Sequence, residues 1–413
     1  MRGIHRLADA GLIALFFLFL WLPTFDSIFH VDRAPTPNEK RLLNACPEWS
    51  LARRSPGKFL AGVDAWFSDH FGFRNRLIRL HHKWERDIFR ESSFSEVVVG
   101  RDGWLFYGGR RMIDNYRGAS LFTTKELVAW RQLLEARRDW LAQRGIRYLF
   151  IVAPNKESIY PEQLPEWLAG PVATRKLDQF MAHMRAHSSV EVLDLRPALL
   201  EAKKEERAYL LTDSHWNAFG AFAAYQSILR AMGRQFPELD PLPIEAFDRL
   251  MEEKPAGDLA ELLGQAHILT EGPTAKLVPK PPRAPLQPKV EQVIAPQTWT
   301  QERRPVYTEQ PGQTRRIVLF RDSYANALQK YLGFHFARAL YLWQPNWNTK
   351  VIERERPDIV VDEVLERYFN ERDPRELRRA DALSAPVDAS ETNRSNRIVP
   401  DAKSSPAFRE RRP

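Results

Sequence analysis

Short apolar runs alternate with amphipathic stretches along most of the chain. Arg147–Val152 and Arg316–Phe320 are mainly apolar runs of strand length, whereas Leu127–Arg144 repeats its apolar residues at helical spacing. The same alternation gives predicted strands at Val190–Leu195 and Asp358–Val361, and predicted helices at Thr174–Ala186, Phe219–Met232 and Ala325–Gly333. Strands that alternate with helices predict an α/β domain with a largely parallel sheet.

Two other patterns lie upstream of this region. Trp49–Phe94 spaces its apolar residues three to four apart, which predicts helix. In Val97–Gly109, valines and aromatic residues stand on either side of Gly100 and Gly103. That arrangement is typical of two strands joined by a tight turn.

The first thirty residues carry a separate signal. An almost unbroken apolar run, Ala10–Leu22, follows a short basic stretch. Its length lies between the ~7–15 residues of a signal peptide and the ~20 of a spanning helix. The bulky residues after it offer no cleavage site, so we expect an uncleaved membrane anchor at 10–29. Residues 1–9 would then be cytoplasmic and 30–48 a stalk. A cleaved signal peptide and a buried helix of a soluble domain are the alternatives.

We expect residues 49–379 to form one domain. Segment 271–312 is rich in proline and charge, which predicts a long loop inside that domain, because a strand still follows it. Residues 380–413 are rich in Ser, Pro and Arg with few large apolar groups, which predicts a disordered tail.

Composition narrows the class of protein. The 413 residues are 44% hydrophobic and 28% charged, as in folded globular chains, and the mean hydropathy of -0.45 excludes a polytopic membrane protein. The net charge of +8 permits an anionic partner, but we predict no nucleic acid. With Cys46 as the single cysteine, neither an intrachain disulfide nor a cysteine metal cluster can form.

No cofactor motif is present. The chain lacks the glycine-rich fingerprints of nucleotide binding, so we predict no cofactor. His183 and His187 lie one helical turn apart, a spacing that can bind metal. No carboxylate in a ligand spacing accompanies them, and we predict no metal.

The strongest local candidate for chemistry is Ser323. Strand Arg316–Phe320 runs almost directly into it, and a helix is predicted to follow. A hydroxyl in that place is exposed at the carboxyl edge of a sheet, near backbone N–H groups that can stabilise an oxyanion. The alternative is that Asp322 or Ser323 only caps the helix.

A nucleophilic serine needs a base and a carboxylate that orients it. Asp213 and His215 offer both, because side chains two positions apart in extended backbone point the same way. An isolated Asp-x-His is usually solvated surface. Its occurrence about a hundred residues before a serine at a strand end is what makes the pair a candidate.

Ordered motifs across most of the chain resemble the AlgJ/AlgX type of alginate O-acetyltransferases, whose domain is similar to SGNH hydrolases. In chain order the motifs are Asp69–Arg74, Gly100–Phe106, Ala153–Pro161, Thr212–Asn217, Gly257–Leu259, Arg321–Tyr324 and Arg356–Val360.

The resemblance implies a Ser-His-Asp triad of Ser323, His215 and Asp213 on an SGNH-hydrolase-like parallel sheet flanked by helices. The Asp and His precede the Ser, the reverse of the usual SGNH order, as in a circular permutation. The family usually has Gly two residues before the nucleophile, where this chain has Arg321. That guanidinium would either crowd the oxyanion pocket or assist it. Candidate oxyanion or substrate groups are Asn155, Arg321 and Tyr324.

The resemblance also implies a periplasmic enzyme, held at the inner membrane by one helix, that transfers acetyl groups to hydroxyls of an exported polysaccharide. A membrane-bound O-acyltransferase would supply the acetyl group, because the chain shows no acetyl-CoA site. Two alternatives stay open from the residues. The same triad would make an acetyl esterase if water reached the acyl-enzyme, and Arg321 keeps open a non-catalytic carbohydrate-binding scaffold.

Overall fold

The computed structural model of the chain describes residues 44–74, 76–77, 96–109, 111–170, 174–291, 303–344 and 346–381, with shorter pieces between 11 and 31. The predicted cytoplasmic segment 1–9 lies outside the described residues, as do parts of the predicted anchor and stalk and all of the predicted tail after Asp381. Among the described residues, no helix is both long enough and apolar enough to span a bilayer.

The described elements follow the predicted alternation of strands and helices. The strands are β1 (Val97–Val99), β2 (Leu105–Tyr107), β3 (Arg147–Ala153), β4 (Val192–Asp194), β5 (Phe247–Pro255), β6 (Thr270–Pro279), β7 (Lys289–Val290), β8 (Val306–Glu309), β9 (Arg316–Phe320), β10 (Arg338–Leu342) and β11 (Ile359–Leu365). The helices are α1 (Trp49–Arg54), α2 (Pro56–His70), α3 (Met112–Tyr116), α4 (Thr124–Ala142), α5 (Lys156–Ile159), α6 (Lys176–His187), α7 (Arg196–Glu205), α8 (Ala218–Gly233), α9 (Asp258–Leu262), α10 (Gln329–Leu332), α11 (Thr349–Glu355), α12 (Glu366–Phe369) and α13 (Pro374–Asp381).

A seven-stranded sheet forms the centre of the fold, in the order β4-β3-β11-β9-β10-β8-β7. The first five strands pair in parallel, and β8 and β7 extend the sheet in antiparallel fashion. The predicted parallel α/β sheet is therefore confirmed. The predicted tight turn at Gly100–Gly103 is also confirmed, since β1 and β2 form an antiparallel hairpin around it.

Both faces of the sheet are buried. Along β9, Ile317 and Leu319 join the core beneath α8, and Val318 and Phe320 join the core beneath α4. A strand covered on both faces is apolar at successive positions, which is why β9 reads as a continuous apolar run. Because β3, β9 and β11 pair in parallel, their carboxyl ends meet at one edge of the sheet. Ligands of open α/β sheets bind at this edge.

The prediction that 271–312 is one long loop is wrong. Residues of β6, β7 and β8 lie in it, and β6 pairs with β5 over nearly its whole length. Proline is tolerated there because β5 and β6 form a two-stranded ribbon in which each strand has one unpaired edge. Residues 292–302 lie outside the described part.

The predicted helix at Ala325–Gly333 is interrupted. The chain instead forms a 3-10 turn at Tyr324–Asn326, then α10, then a 3-10 turn at Gly333–His335. The Leu328 N–H donates to the Ala325 carbonyl, three residues back, so the first turn is wound more tightly than an α-helix.

Candidate active site

The turn after β9 presents Ser323. The Asp322 carboxylate accepts hydrogen bonds from the N–H groups of Tyr324 (3.0 Å) and Leu365 (2.7 Å), which ties the turn to the end of β11. Ser323 precedes the 3-10 turn, but its side chain makes no capping hydrogen bond. Of the two residues that could cap this turn, Asp322 does so and Ser323 does not. The Ser323 hydroxyl is therefore left for another partner.

Asp213 and His215 lie in a tight loop between α7 and α8. The loop is closed by an antiparallel bridge between Tyr209 and Trp216, and the Leu210 N–H donates to the His215 carbonyl at 3.1 Å. Asn217 then caps α8, since its side chain accepts from the Gly220 N–H at 2.9 Å. Helix and bridge together hold the loop at both ends.

The structure brings the three predicted residues into one hydrogen-bonded chain. The Ser323 Oγ and His215 Nε2 are 2.8 Å apart, and the His215 Nδ1 and Asp213 Oδ1 are 2.7 Å apart. The side chain of His215 is 27% exposed, so a substrate can reach the His215 Nε2 and the Ser323 hydroxyl. This is the geometry that a base-activated serine requires.

Asp213 is held in its ionised form. Burial favours the protonated carboxyl, but hydrogen bonds and charge from the His215 ring, followed by the N–H groups of His215 and Asp258, outweigh it. The pKa of Asp213 therefore lies well below its usual value. A carboxylate that stays ionised can both orient an imidazole and stabilise its cation.

A buried lysine supports the loop from below. The Lys156 Nζ donates to the carbonyls of Leu105 (2.7 Å), Leu211 (2.8 Å) and Asp213 (3.1 Å), and it lies 4.8 Å from the centre of the Trp104 ring. Burial lowers the pKa of Lys156 to about 7. These three acceptors tie the hairpin β1–β2 and the loop to the start of α5.

Glu271 on β6 supports the same loop from another side. Its buried carboxylate accepts from the N–H groups of Leu211 and Thr212 and from the Thr212 hydroxyl, with both Thr212 contacts at 2.8 Å. Arg207 balances its charge at 3.1 Å. The ribbon strand within the proline-rich segment therefore has a structural role at the site.

Asp258 begins α9 and faces the middle of the loop. Its carboxylate accepts from the Ser214 N–H and hydroxyl, both at 2.8 Å. Asp213, His215 and Asp258 each offer one potential ligand atom within 4.8 Å of the other two. Both carboxylates already accept hydrogen bonds from protein donors, and we assign no metal to the cluster.

Tyr324 and Trp216 join the turn that carries Ser323 to the loop 206–217 that carries Asp213 and His215, which we call the histidine loop. The buried Tyr324 hydroxyl donates to the Ser214 carbonyl, and the Trp216 Nε1 donates to the Tyr324 carbonyl at 3.2 Å. The Tyr324 ring centre lies 4.9 Å from that of His215. The sequence resemblance gives Tyr324 as a candidate oxyanion or substrate group. Its contacts place it between the two halves of the site, where it fixes their separation.

Asn155 and Arg321 have other partners. Asn155 donates its N–H to Glu366 (2.9 Å) and accepts from the Arg367 N–H (3.2 Å), which binds the ends of β3 and β11 together. The buried Arg321 guanidinium donates to Asn326 (2.6 Å) and lies 5.0 Å from the Trp343 ring centre. No contact tests a role of either side chain in oxyanion binding, which stays a prediction.

The sequence reasoning did not assign roles to the supporting residues Lys156, Asp258 and Glu271. The first two lie inside motifs that carried the resemblance, next to Asn155 and Gly257, so a signal for them was present. Glu271 stands in the segment predicted to be a loop, and no pattern in the chain marks it.

Gly257 is required by close approach. A Cβ at this position would lie 2.3 Å from the Asp213 Cβ and 2.7 Å from its Cα. We expect Gly257→Ala to displace Asp213, lowering activity about 10- to 100-fold and stability by about 1–3 kcal/mol. Gly170→Ala is the matched control, because nothing lies within 4 Å of a Cβ there. Initial rates and urea unfolding curves measure the two effects, and equal behaviour of the two variants would contradict this account.

Comparison with known proteins agrees with the sequence resemblance. Residues 97–297 match the family model described as the SGNH hydrolase-like domain of acetyltransferase AlgX. That range includes Asp213, His215 and Asp258, and it ends before Ser323.

Curated relatives point to the same family. A probable alginate O-acetylase AlgJ of Pseudomonas aeruginosa is 26% identical over 254 residues, which cover 58% of each chain. A probable alginate O-acetylase AlgJ of Pseudomonas putida is 31% identical over 179 residues, covering 43% of this chain and 44% of that protein. The aligned region thus spans about half the length of these relatives.

Two solved structures are similar to this chain. The O-acetyltransferase domain of Pseudomonas putida AlgJ is 22% identical with a TM-score of 0.45, covering 69% of this chain and 99% of that one. Bacillus cereus PatB1, solved with a sulfonyl adduct, is 15% identical with a TM-score of 0.49, covering 68% and 97%. The family match and the AlgJ relatives confirm the resemblance predicted from the sequence: residues 97–297 are similar to the SGNH hydrolase-like domain of the AlgX type of acetyltransferase.

Proposed function

We propose that this protein is an O-acetyltransferase that moves an acetyl group through Ser323 to hydroxyls of an exported polysaccharide, alginate-like or another exopolysaccharide. One observation carries the proposal: the Ser323 Oγ lies 2.8 Å from the His215 Nε2, and Asp213 holds the opposite ring nitrogen. The names of the AlgJ relatives support the acyl group and the class of acceptor.

In the first half-reaction, His215 takes the Ser323 proton as the hydroxyl oxygen attacks the carbonyl of an acetyl donor. The new Oγ–C bond forms, the bond from the carbonyl carbon to the donor breaks, and the leaving group receives the proton from His215. Within the described part of the chain, the Ser323 N–H donates to no backbone acceptor, so it is free to hold the oxyanion.

In the second half-reaction a sugar hydroxyl takes the place of the leaving group. His215 removes its proton, the sugar oxygen attacks the acetyl-serine, and the Ser323 oxygen leaves and recovers a proton from His215. Asp213 keeps the imidazole oriented and stabilises its cation in both halves.

The setting of this reaction is part of the proposal. The apolar run within 10–29 supports an N-terminal anchor that leaves the domain on the periplasmic side of the inner membrane. Acetyl-CoA is not available there, so a membrane-bound O-acyltransferase would deliver the acetyl group. The polysaccharide would meet the enzyme during export.

The test is transfer by the purified full chain from an acetyl ester, with and without uronate oligosaccharides. A transferase accumulates acetyl-Ser323 with donor alone and loses it when acceptor is added, as peptide mass spectrometry will show. Rapid loss in buffer without acceptor would favour the esterase. Absence of any acetyl-Ser323 would reject both enzymes and favour the scaffold.

A further inference from the structure

Asp258 contacts three consecutive residues of the histidine loop. Its carboxylate oxygens accept from the Ser214 N–H and the Ser214 hydroxyl, each at 2.8 Å. Its own N–H donates to the Asp213 Oδ2 at 3.1 Å. Its Oδ2 lies 3.7 Å from the His215 Nδ1. The first residue of α9 therefore holds the loop by backbone and side chain at once.

The second carboxylate lies on the same side of the imidazole as the first. The His215 Nδ1 is 2.7 Å from Asp213 and 3.7 Å from Asp258, and the Asp258 side chain is 13% exposed. Opposite charges at such distances, partly shielded from water, stabilise a cation appreciably. An imidazolium formed at His215 thus faces two negative charges.

The other groups near the imidazole belong to three elements. Ser323 and Tyr324 face it from the turn after β9. Lys156 on α5 interacts electrostatically with both aspartates, and Arg367 on α12 interacts with Asp258 and Tyr324. Arg367, and Lys156 when it is protonated, partly offset the charge of the two carboxylates, whose side chains are 18% and 13% exposed.

We propose that Asp258 is a positioning residue for acyl transfer, a second carboxylate that fixes Ser214 and supports the imidazolium of His215 together with Asp213. The inference rests on the proposed function, since it assigns a role in the same reaction. A residue that only holds the loop in place acts through its hydrogen bonds. A second carboxylate acts through its negative charge as well.

The experiment measures the rate at which phenylmethylsulfonyl fluoride modifies Ser323 in the full chain between pH 5 and 9. The serine oxygen bonds to sulfur, fluoride leaves and His215 takes the proton, so neither the natural donor nor the acceptor is needed. Three variants are compared with the unaltered protein: Asp258→Asn, Ser214→Ala and Asp248→Asn. Asp248 on β5 is 56% exposed and controls for loss of one negative charge elsewhere.

For Asp258→Asn we expect a rate about tenfold lower at pH 7, and an acidic limb of the profile that moves to lower pH by about one unit. Asparagine has the same shape and can still pair with Ser214, so hydrogen bonding alone predicts no such movement. Ser214→Ala should lower the rate only a few-fold without moving the limb to lower pH. Asp248→Asn should match the unaltered protein.

The outcomes separate this inference from the proposed function. If the unaltered protein is not modified at Ser323, the proposed function is rejected. If it is modified but the limb of Asp258→Asn does not move, the inference alone is overturned. Should Asp258→Asn fail to fold, the Ser214→Ala variant decides, because it keeps the charge of Asp258. If the acidic limb of its pH profile moves to lower pH all the same, the charge of Asp258 does not set that limb and the inference is overturned.

Discussion

Replacing Ser323 by alanine is expected to abolish both acetyl-enzyme formation and product formation. The Oγ is the atom that bonds to the acetyl carbon, and alanine has no equivalent. His215→Ala should cost nearly as much, because the losses of residues that act as a unit are not additive. Peptide mass spectrometry of the region around residue 323 and chromatographic measurement of acetylated acceptor give the two readouts.

Asp213→Asn should lower the rate by about 10⁴-fold while the fold is kept, because the imidazole loses its charge partner and its orientation. Ser189→Ala, at an exposed serine whose hydroxyl accepts from Arg138 and not from a residue of the site, is the control and should retain full activity. Unchanged polymer acetylation by Ser323→Ala would refute the catalytic assignment and favour the scaffold alternative.

Replacing Glu271 by alanine is expected to destabilise the protein and displace the histidine loop. The substitution leaves the Leu211 and Thr212 N–H groups, the Thr212 hydroxyl and Arg207 without their shared acceptor. The Arg207 side chain is 28% exposed and stays solvated, so the cost comes mainly from the donors of the loop that lose their acceptor, about 1–3 kcal/mol for each that is buried. We also expect a loss of activity of about 100-fold where the variant remains folded, since small displacements of a catalytic group cost about that much.

Urea unfolding and the rate of Ser323 modification at low temperature separate the two effects of this change. Glu253→Ala on the partner strand β5 is the matched control, because it removes an exposed glutamate from the same ribbon. The control should change stability by less than about 0.5 kcal/mol. If both variants unfold at the same urea concentration and react equally fast, β6 does not support the site.

Gly257→Ala and Glu271→Ala disturb the same loop in different ways. The first pushes Asp213 from the side of α9, and the second releases Thr212 from the side of β6. Because both changes act on one loop, their effects should not add in the double variant. Effects that add would show that α9 and β6 support the site independently.

Much of the sheet could be predicted from the chain alone. Strands β3, β9 and the first half of β11 are covered on both faces and apolar at nearly every position, so the runs are visible without alignment. The second half of β11 contains the buried Asp362 and Glu363, which is why the predicted strand ends at Val361. The Asp-x-His pair and the serine after a strand could also be predicted, because both signals are local. The first is a spacing of two residues, and the second is a serine that closely follows an apolar run.

The ribbon β5–β6 could not be predicted in this way. Its strands lie in a two-stranded sheet, carry exposed polar residues, and include prolines at Pro255, Pro273 and Pro279. Local propensity therefore argues against strand, and only pairing between β5 and β6 stabilises it. The same pairing carries Glu271 to the loop, so its role had no local signature.

The sequence by itself determined the alternation of strands and helices, the parallel sheet and the three side chains of the hydrogen-bonded chain. Only the tertiary structure decided what surrounds them. Lys156, Asp258 and Glu271 reach the loop from α5, α9 and β6, and the loop residues they contact lie 57, 44 and 59 positions away in the chain. Contacts across such separations depend on how elements pack, and no spacing within one sequence records that packing.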